Sequence, residues 1–220
     1  MKRGANTISK NHSIEHMPAF DKIAKFYFMI DLASVSFFKE VVREIPKHLD
    51  FDIYSTMDTN ILDVCCGTGL FSRCLTKLSN GVVGVDISPK MIEKARRAAK
   101  KLPIDFGVMD ATSLDFPDDS FSLATISRGL HAMPKDIRNK AVKEAHRVTS
   151  SHALFIEPVR RPKGRISRAL HDFAERAEGG FENYLEFVEI DFGKYLASHG
   201  FSPKLMIKES NSEVYICKKL

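Results

Sequence analysis

The sequence predicts an α/β fold in which a mainly parallel sheet is covered by helices. Three observations carry that expectation. Between residues 61 and 156, short apolar runs alternate with segments of helical periodicity, the pattern of successive βαβ units. A glycine-rich turn, Gly67-Thr68-Gly69, stands at the first of these strand-to-helix junctions. Near the C-terminus, two short apolar runs flank the turn-rich Glu209-Ser210-Asn211-Ser212 and read as a closing antiparallel hairpin.

Residues 1–17 are polar and aperiodic and read as a flexible tail, which leaves 18–220 as one domain. From Pro18 the spacing predicts two helices, the first through Ile23, Phe26, Tyr27 and Ile30, the second through Val35, Phe38, Val42 and Ile45 before Pro46. They form N-terminal cap helices over 18–49, followed by a polar-aromatic linker, Asp50–Thr59. Ile61–Cys65 reads as a buried strand, and Leu70, Cys74, Leu75 and Leu78 as the face of a helix ended by Asn80-Gly81. Val82–Val85 is the second strand. Ser88 and Pro89 suit the N-cap and first position of the next helix, which continues through Met91, Ile92, Ala95 and Ala98–Ala99. Ile104–Met109, Phe121–Ile126 and Ala153–Ile156 complete five strands, with a helix over Ile137–Val148. A basic loop then leads into a helical insertion over 160–180, with Ile166, Leu170, Phe173 and Ala177 at helical spacing and a stop at Gly179-Gly180. Glu182–Gly200 reads as one further helix. Leu205–Ile207 and Val214–Cys217 are the hairpin strands.

Composition narrows the class. At 220 residues and 44% hydrophobic, the chain has apolar material for a core, which argues against intrinsic disorder. Lys and Arg number 33 against 28 Asp and Glu, and the isoelectric point is about 9.0, an excess that permits an anionic partner without naming one. Four cysteines, two of them adjacent at 65 and 66, form no Cys-x-x-Cys pair for zinc or redox work, so reduced thiols and no metal are expected. The polar N-terminus has no apolar signal core. The longest apolar stretch, around Phe26–Phe38, contains Asp31 and falls short of the roughly 20 residues that span a bilayer. These features predict a cytoplasmic protein without a transmembrane segment.

The glycine turn carries the chemistry. Two glycines let the backbone bend sharply and let a ligand approach the main chain, and the free N–H groups at the following helix favour a polar group. Asp86 closes the next strand, where an acid can accept hydrogen bonds from ribose hydroxyls, the geometry of a nucleoside-bearing cofactor; the competing reading is a turn aspartate. The dinucleotide fingerprint needs a third glycine where this chain has Ser72, and the lysine of a phosphate-binding loop is missing. Asp63, at the head of the loop, suits a cationic ligand. S-adenosylmethionine carries both an ammonium and a sulfonium.

The segment ILDVCCGTG resembles motif I of the class I S-adenosylmethionine-dependent methyltransferases, and VVGVDISPKMIEKA resembles the segment that follows it. GVMDATSLDFPDDSF resembles the stretch that clasps adenine, and SLATISRGLHAMP the substrate-facing fourth strand. The resemblance covers about residues 20–220. It implies a Rossmann-like seven-stranded sheet of order 3-2-1-4-5-7-6 with strand 7 antiparallel. It also implies that Asp63, Gly67, Thr68 and Gly69 hold the methionine end of the cofactor. Asp86 would take the ribose, Ile87 and Met91 would pack on adenine, Asp110 and Ala111 would meet its edge, and Ser127 would line the pocket. For Asp110, a plain turn before Thr112-Ser113 is the competing reading.

Within that superfamily the chain is most similar to the ubiquinone/menaquinone-biosynthesis C-methyltransferases. FDKIAKFYFMIDLAS resembles their opening and ISRGL their signature ISFGL. Phe26-Tyr27 replaces a usual Tyr-Asp, His131-Ala132 a usual Arg-Asn, and Arg128 the signature Phe. These departures fall around the acceptor, where Arg128 and His131 become the candidate catalytic residues. Histidine titrates near pH 6.5 and can take a proton from a hydroxyl or an acidic ring carbon; the competing reading of His131 is a half-exposed residue near the start of the helix at Pro134. The expected reaction is methyl transfer to a small organic acceptor, quinone-like or otherwise aromatic or lipophilic. Two alternatives remain: an RNA methyltransferase, motivated by Arg160-Arg161-Pro162-Lys163-Gly164-Arg165, and a non-catalytic cofactor-binding protein. No stable nucleic-acid complex is expected, and a homodimer is compatible with the sequence.

Overall fold

The computed structural model describes residues 27–54, 60–209 and 211–220. The predicted tail, the start of the first predicted helix and Phe26 lie outside the described residues. Helix α1 (Tyr27–Glu44) is a single element where the spacing suggested a break near residue 31. Ser34 and Ser36 interrupt the apolar pattern, but no glycine or proline interrupts the backbone before Pro46, which sits in a closing 3-10 turn, Ile45–His48.

The chain then alternates as expected. Strand β1 (Asn60–Val64), helix α2 (Leu70–Leu75), β2 (Gly81–Asp86), α3 (Pro89–Ala98), β3 (Ile104–Val108), β4 (Phe121–Ser127), α4 (Lys135–Val148) and β5 (Thr149–Pro158) follow in order. The Ser88 hydroxyl accepts the Met91 N–H at 3.2 Å, capping α3 as its sequence implied. Helix α5 (Arg165–Glu178) stops at Gly179, whose φ of 80° lies in the left-handed region. The single helix expected over 182–200 is two: α6 (Phe181–Phe187) and α7 (Phe192–Ala197). Asp191 breaks them by capping α7 through the Lys194 N–H at 3.1 Å. Strands β6 (Phe201–Lys208) and β7 (Ser212–Lys219) form the hairpin.

The seven strands lie in the order β3-β2-β1-β4-β5-β7-β6. Strands β1 to β5 are parallel, and β7 runs antiparallel to both neighbours. Alternation along the central strands fills both faces. Ala124, Ile126, Ala153 and Phe155 pack under α4, α6 and α7, while Leu123, Leu154, Ile156 and Ile216 face the side of α1 and α2. Each fully buried Ile, Leu or Phe contributes about 1.5–3 kcal/mol, which makes this two-sided sheet the rigid frame of the molecule. From β1 the chain winds outward to β3, then crosses back to β4. A crevice therefore opens beyond the C-terminal ends of β1 and β4, the place where open α/β sheets bind ligands.

Candidate functional site

That crevice holds a cavity of about 460 Å³, within the roughly 300–1,000 Å³ usual for small-molecule sites. Its floor is the turn after β1. Cys65, Gly67 and Gly69 all have φ between 52° and 72°, three left-handed residues within five. A Cβ on Gly67 would meet nothing within 4 Å, so glycine is needed there for backbone shape and for an unobstructed wall. Gly69 is different: a Cβ would come within 2.8 Å of the Phe106 ring. Of the twelve residues expected at the site, Gly69 alone is not on the cavity wall, and its part is to let the turn close against that ring.

Asp86 binds this turn to the next. Its Oδ2 accepts the Gly67 N–H and its Oδ1 the Ser88 N–H, both at 2.9 Å. The carboxylate reaches the cavity wall while bracing the glycine loop. Asp63 lies beneath, 1% exposed, and accepts the Ser72 hydroxyl at 2.5 Å and the Thr125 hydroxyl at 2.9 Å. Ser72, where a dinucleotide loop has its third glycine, thus holds the loop-head carboxylate. Burial pushes the Asp63 carboxyl up to about 6, against the lowering effect of these two hydroxyls.

Thr68, Ile87, Met91, Asp110, Ala111 and Ser127 line the same cavity. Asp110 Oδ1 accepts the Thr112 N–H and hydroxyl, both at 2.8 Å, so this carboxylate shapes the turn and stands on the wall at once. The Ser127 hydroxyl is buried without a hydrogen-bond partner. Burial, reinforced by Asp86 and Glu157, raises the Cys65 thiol, and burial raises those of Cys66, Cys74 and Cys217.

The opposite wall is made of side chains. His131, 3% exposed in the 3-10 turn Leu130–Ala132, places Nδ1 2.6 Å from Glu157 Oε2. Glu157 Oε1 accepts the Gly129 and Leu130 N–H groups at 2.9 and 2.8 Å. Nε2 of His131 lies 3.5 Å from Glu175 Oε2 on α5, and His171 lies on the far side of Glu175 at 3.7 Å. Burial, and then the neighbouring His131, hold the His171 imidazole below its usual value. Arg128 has a left-handed φ of 55° and turns away toward α1, donating to the Ser34 hydroxyl at 2.7 Å with its guanidinium over Phe38. It clamps the N-terminal helix to the end of β4 at the cavity edge.

Sequence reasoning missed Glu157, Glu175, His171 and Ser34. Glu157 had a signal, a lone carboxylate closing an apolar strand at Ile156-Glu157-Pro158. The others are brought in by tertiary packing. The basic run after β5 is partly neutralised, since Arg160 pairs with Glu213 and Arg161 with Asp172.

Residues 61–152 match the methyltransferase-domain family. The chain is 34% identical over 152 residues, 62% of its length, to the ubiquinone/menaquinone-biosynthesis C-methyltransferase UbiE of Rickettsia massiliae, covering 57% of that protein. It thus spans little more than half the length of the quinone-pathway relatives it matches. An uncharacterized methyltransferase of Bacillus licheniformis is 29% identical over 181 residues, 80% of this chain and 82% of the relative. Among solved structures, the PH0226 protein of Pyrococcus horikoshii OT3 superposes with a TM-score of 0.60 at 23% identity, covering 80% of this chain and 86% of that one, a likeness of fold. Residues 61–152 thus match a methyltransferase domain, and the chain is similar in sequence to UbiE and in fold to solved methyltransferase-like structures.

Proposed function

We propose that this protein transfers a methyl group from S-adenosylmethionine to a small organic acceptor, with His131 as the base that takes the acceptor's proton. The observation that carries this reading is a single cavity with a glycine-loop wall on one side and a buried His–Glu pair on the other.

The first wall fits the family's cofactor. Asp63, Asp86 and Asp110 give it a negative character that suits an ammonium and a sulfonium, and Ile87, Met91 and Ala111 offer apolar surface for a purine. When bound, S-adenosylmethionine supplies an electrophilic methyl carbon. The chain's own work is positioning, which can contribute roughly 7–11 kcal/mol when two reactants are held in line. Asp86 braces the loop, and the sheet fixes the distance between the walls.

At the second wall, both Glu157 oxygens already accept backbone N–H groups, so Glu157 faces His131 as an acceptor, Nδ1 carries the hydrogen and Nε2 is left as the basic nitrogen. A proton arriving at Nε2 creates an imidazolium that Glu157 and Glu175 both stabilise. Such a base suits a hydroxyl or an acidic ring carbon, which favours a quinol-like or other phenolic acceptor. UbiE is named as a C-methyltransferase, in keeping with that class.

In the test, a panel of quinols and phenols is offered with S-adenosylmethionine and release of the demethylated cofactor is followed. The wild type should turn over one of them. His131→Ala should lower turnover by roughly a hundredfold or more, with cofactor affinity by calorimetry unchanged. Wild-type turnover in a folded His131→Ala protein would remove His131 from the reaction.

A further inference from the structure

Helix α5 is turned inside out. At 100° per residue, Ile166 and Phe173 fall within about 20° of each other, and Glu175 lies roughly opposite both. The apolar pair faces solvent: Ile166 is 79% exposed and Phe173 74%. The charged side faces inward, where His171 and Glu175 line the cavity and Asp172 pairs with Arg161. A surface helix ordinarily does the reverse. The helix is entered through a strongly cationic stretch. Arg160, Arg161, Lys163, Arg165 and Arg168 put five basic side chains into nine residues with no acid. Two of them are paired internally, while Lys163, Arg165 and Arg168 stay at the surface beside Ile166.

We propose that this face docks on the surface of a membrane containing anionic lipid, with Ile166 and Phe173 in the acyl boundary and Lys163, Arg165 and Arg168 among the headgroups. An exposed apolar stripe flanked by Lys and Arg is the signature of an interfacial helix, and anionic headgroups complement its charge. Charge also decides against the other covers. A second copy meeting this face symmetrically would bring the same cations together. Residues 1–26 carry five Lys or Arg against two acids, the wrong sign for this neighbourhood. No helix among the described residues is long and apolar enough to cross a bilayer, so the contact is with its surface. Docking would turn the cavity's α5 side toward the lipid, a route for a lipophilic acceptor. That last consequence rests on the proposed methyl transfer, whereas the docking itself does not.

The experiment is co-sedimentation of the full chain with vesicles of phosphatidylcholine alone or mixed with phosphatidylglycerol, at low and high salt. The protein should bind the mixed vesicles, and salt should weaken that binding. Ile166→Ser with Phe173→Ser should cost at least about tenfold in affinity. Arg165→Gln and Arg168→Gln should each cost about fivefold. All four positions are at the surface, so unfolding temperatures should match the wild type, and S-adenosylmethionine affinity should be unchanged whatever the vesicles do. Absence of binding, or equal binding by wild type and the double serine variant, overturns the proposal. So does concentration-dependent dimerisation that the serine variant abolishes, or tighter binding to duplex RNA than to the vesicles.

Discussion

The wall from Asp63 to Ala111 comes from one stretch of the chain and is shaped by a glycine turn, whereas the wall around His131 is made of side chains drawn from distant parts of the sequence. On the first, Gly67 and Gly69 set the path, and Asp86 accepts the nearby amides of Gly67 and Ser88. On the second, His131 depends on Glu157, 26 residues on, and Arg128 on Ser34, 94 residues back. A turn set by glycines keeps its shape while side chains around it vary. A wall of paired side chains fails with any partner, because a buried polar group that loses its mate keeps the whole cost of desolvation. The two halves of the cavity should therefore respond differently to single substitutions.

The largest effect should come from Glu157. It is fully buried and receives the Gly129 and Leu130 amides as well as His131. Glu157→Ala orphans four donors, the Gly129, Leu130 and His131 amides and the His131 ring, each costing about 1–3 kcal/mol, so chemical denaturation should show a loss of at least roughly 4 kcal/mol. Glu157→Gln keeps one acceptor oxygen and should recover about half. If the alanine variant is as stable as wild type, the side-chain wall is not held from Glu157 and the contrast between the walls collapses.

The contrast also explains what was legible in the sequence. The order of elements and the glycine loop follow from local signals: apolar runs, Ser88-Pro89, paired glycines and an acid at a strand end. Even there, Asp86 and Asp110 proved to be loop braces as well as wall residues, because a side chain's partners are not written in its neighbours. The helix expected over 182–200 splits because Asp191 caps a new helix, which helical spacing alone does not reveal. His131 was visible from its place after the fourth strand, but its setting between two carboxylates was not. Arg138 makes the same point. On an outwardly polar helix it is 1% exposed, with its guanidinium over Phe187 and Tyr195. Only packing against α6 and α7 puts it there.

Asp63 is the side chain beneath the glycine-turn wall that should announce itself, and it should do so through pH. Its folded carboxyl titrates at about 6, above the roughly 3.9 of an unfolded chain. The folded protein holds that proton more tightly, so the stability Asp63 contributes is fully present below about pH 4 and is lost as pH rises through 6. The span is about 3 kcal/mol. Asp63→Asn keeps the size and hydrogen-bonding capacity but cannot ionise. The stability difference between wild type and Asp63→Asn, from urea unfolding at several pH values, should move by about that amount between pH 4 and 7, in favour of wild type at the acid end. A flat difference would mean that Asp63 ionises in the folded protein as it does in the open chain.

The smallest effect should be at Asp86, and it tests the glycine-turn wall most directly. The carboxylate has two tasks, accepting the Gly67 and Ser88 amides and lining the cavity where the cofactor would sit. Asp86→Ala removes both. Loss of charge-assisted hydrogen bonds to ribose hydroxyls, at about 1.5–3 kcal/mol, should weaken S-adenosylmethionine by roughly tenfold to a hundredfold. Gly67 lines the cavity, where water can reach its freed amide, whereas Ser88 is buried and its amide is left unpaired, so the stability loss should be about 1–3 kcal/mol. Asp86→Asn separates the two tasks. Its amide oxygen can still accept one loop N–H, while the charge that strengthens bonds to the cofactor is gone. Its stability should stay near wild type as its affinity falls toward that of the alanine variant. If stability and affinity instead fall together in Asp86→Asn, the carboxylate acts on the ligand only through the loop, and the ribose is held by other groups on that wall.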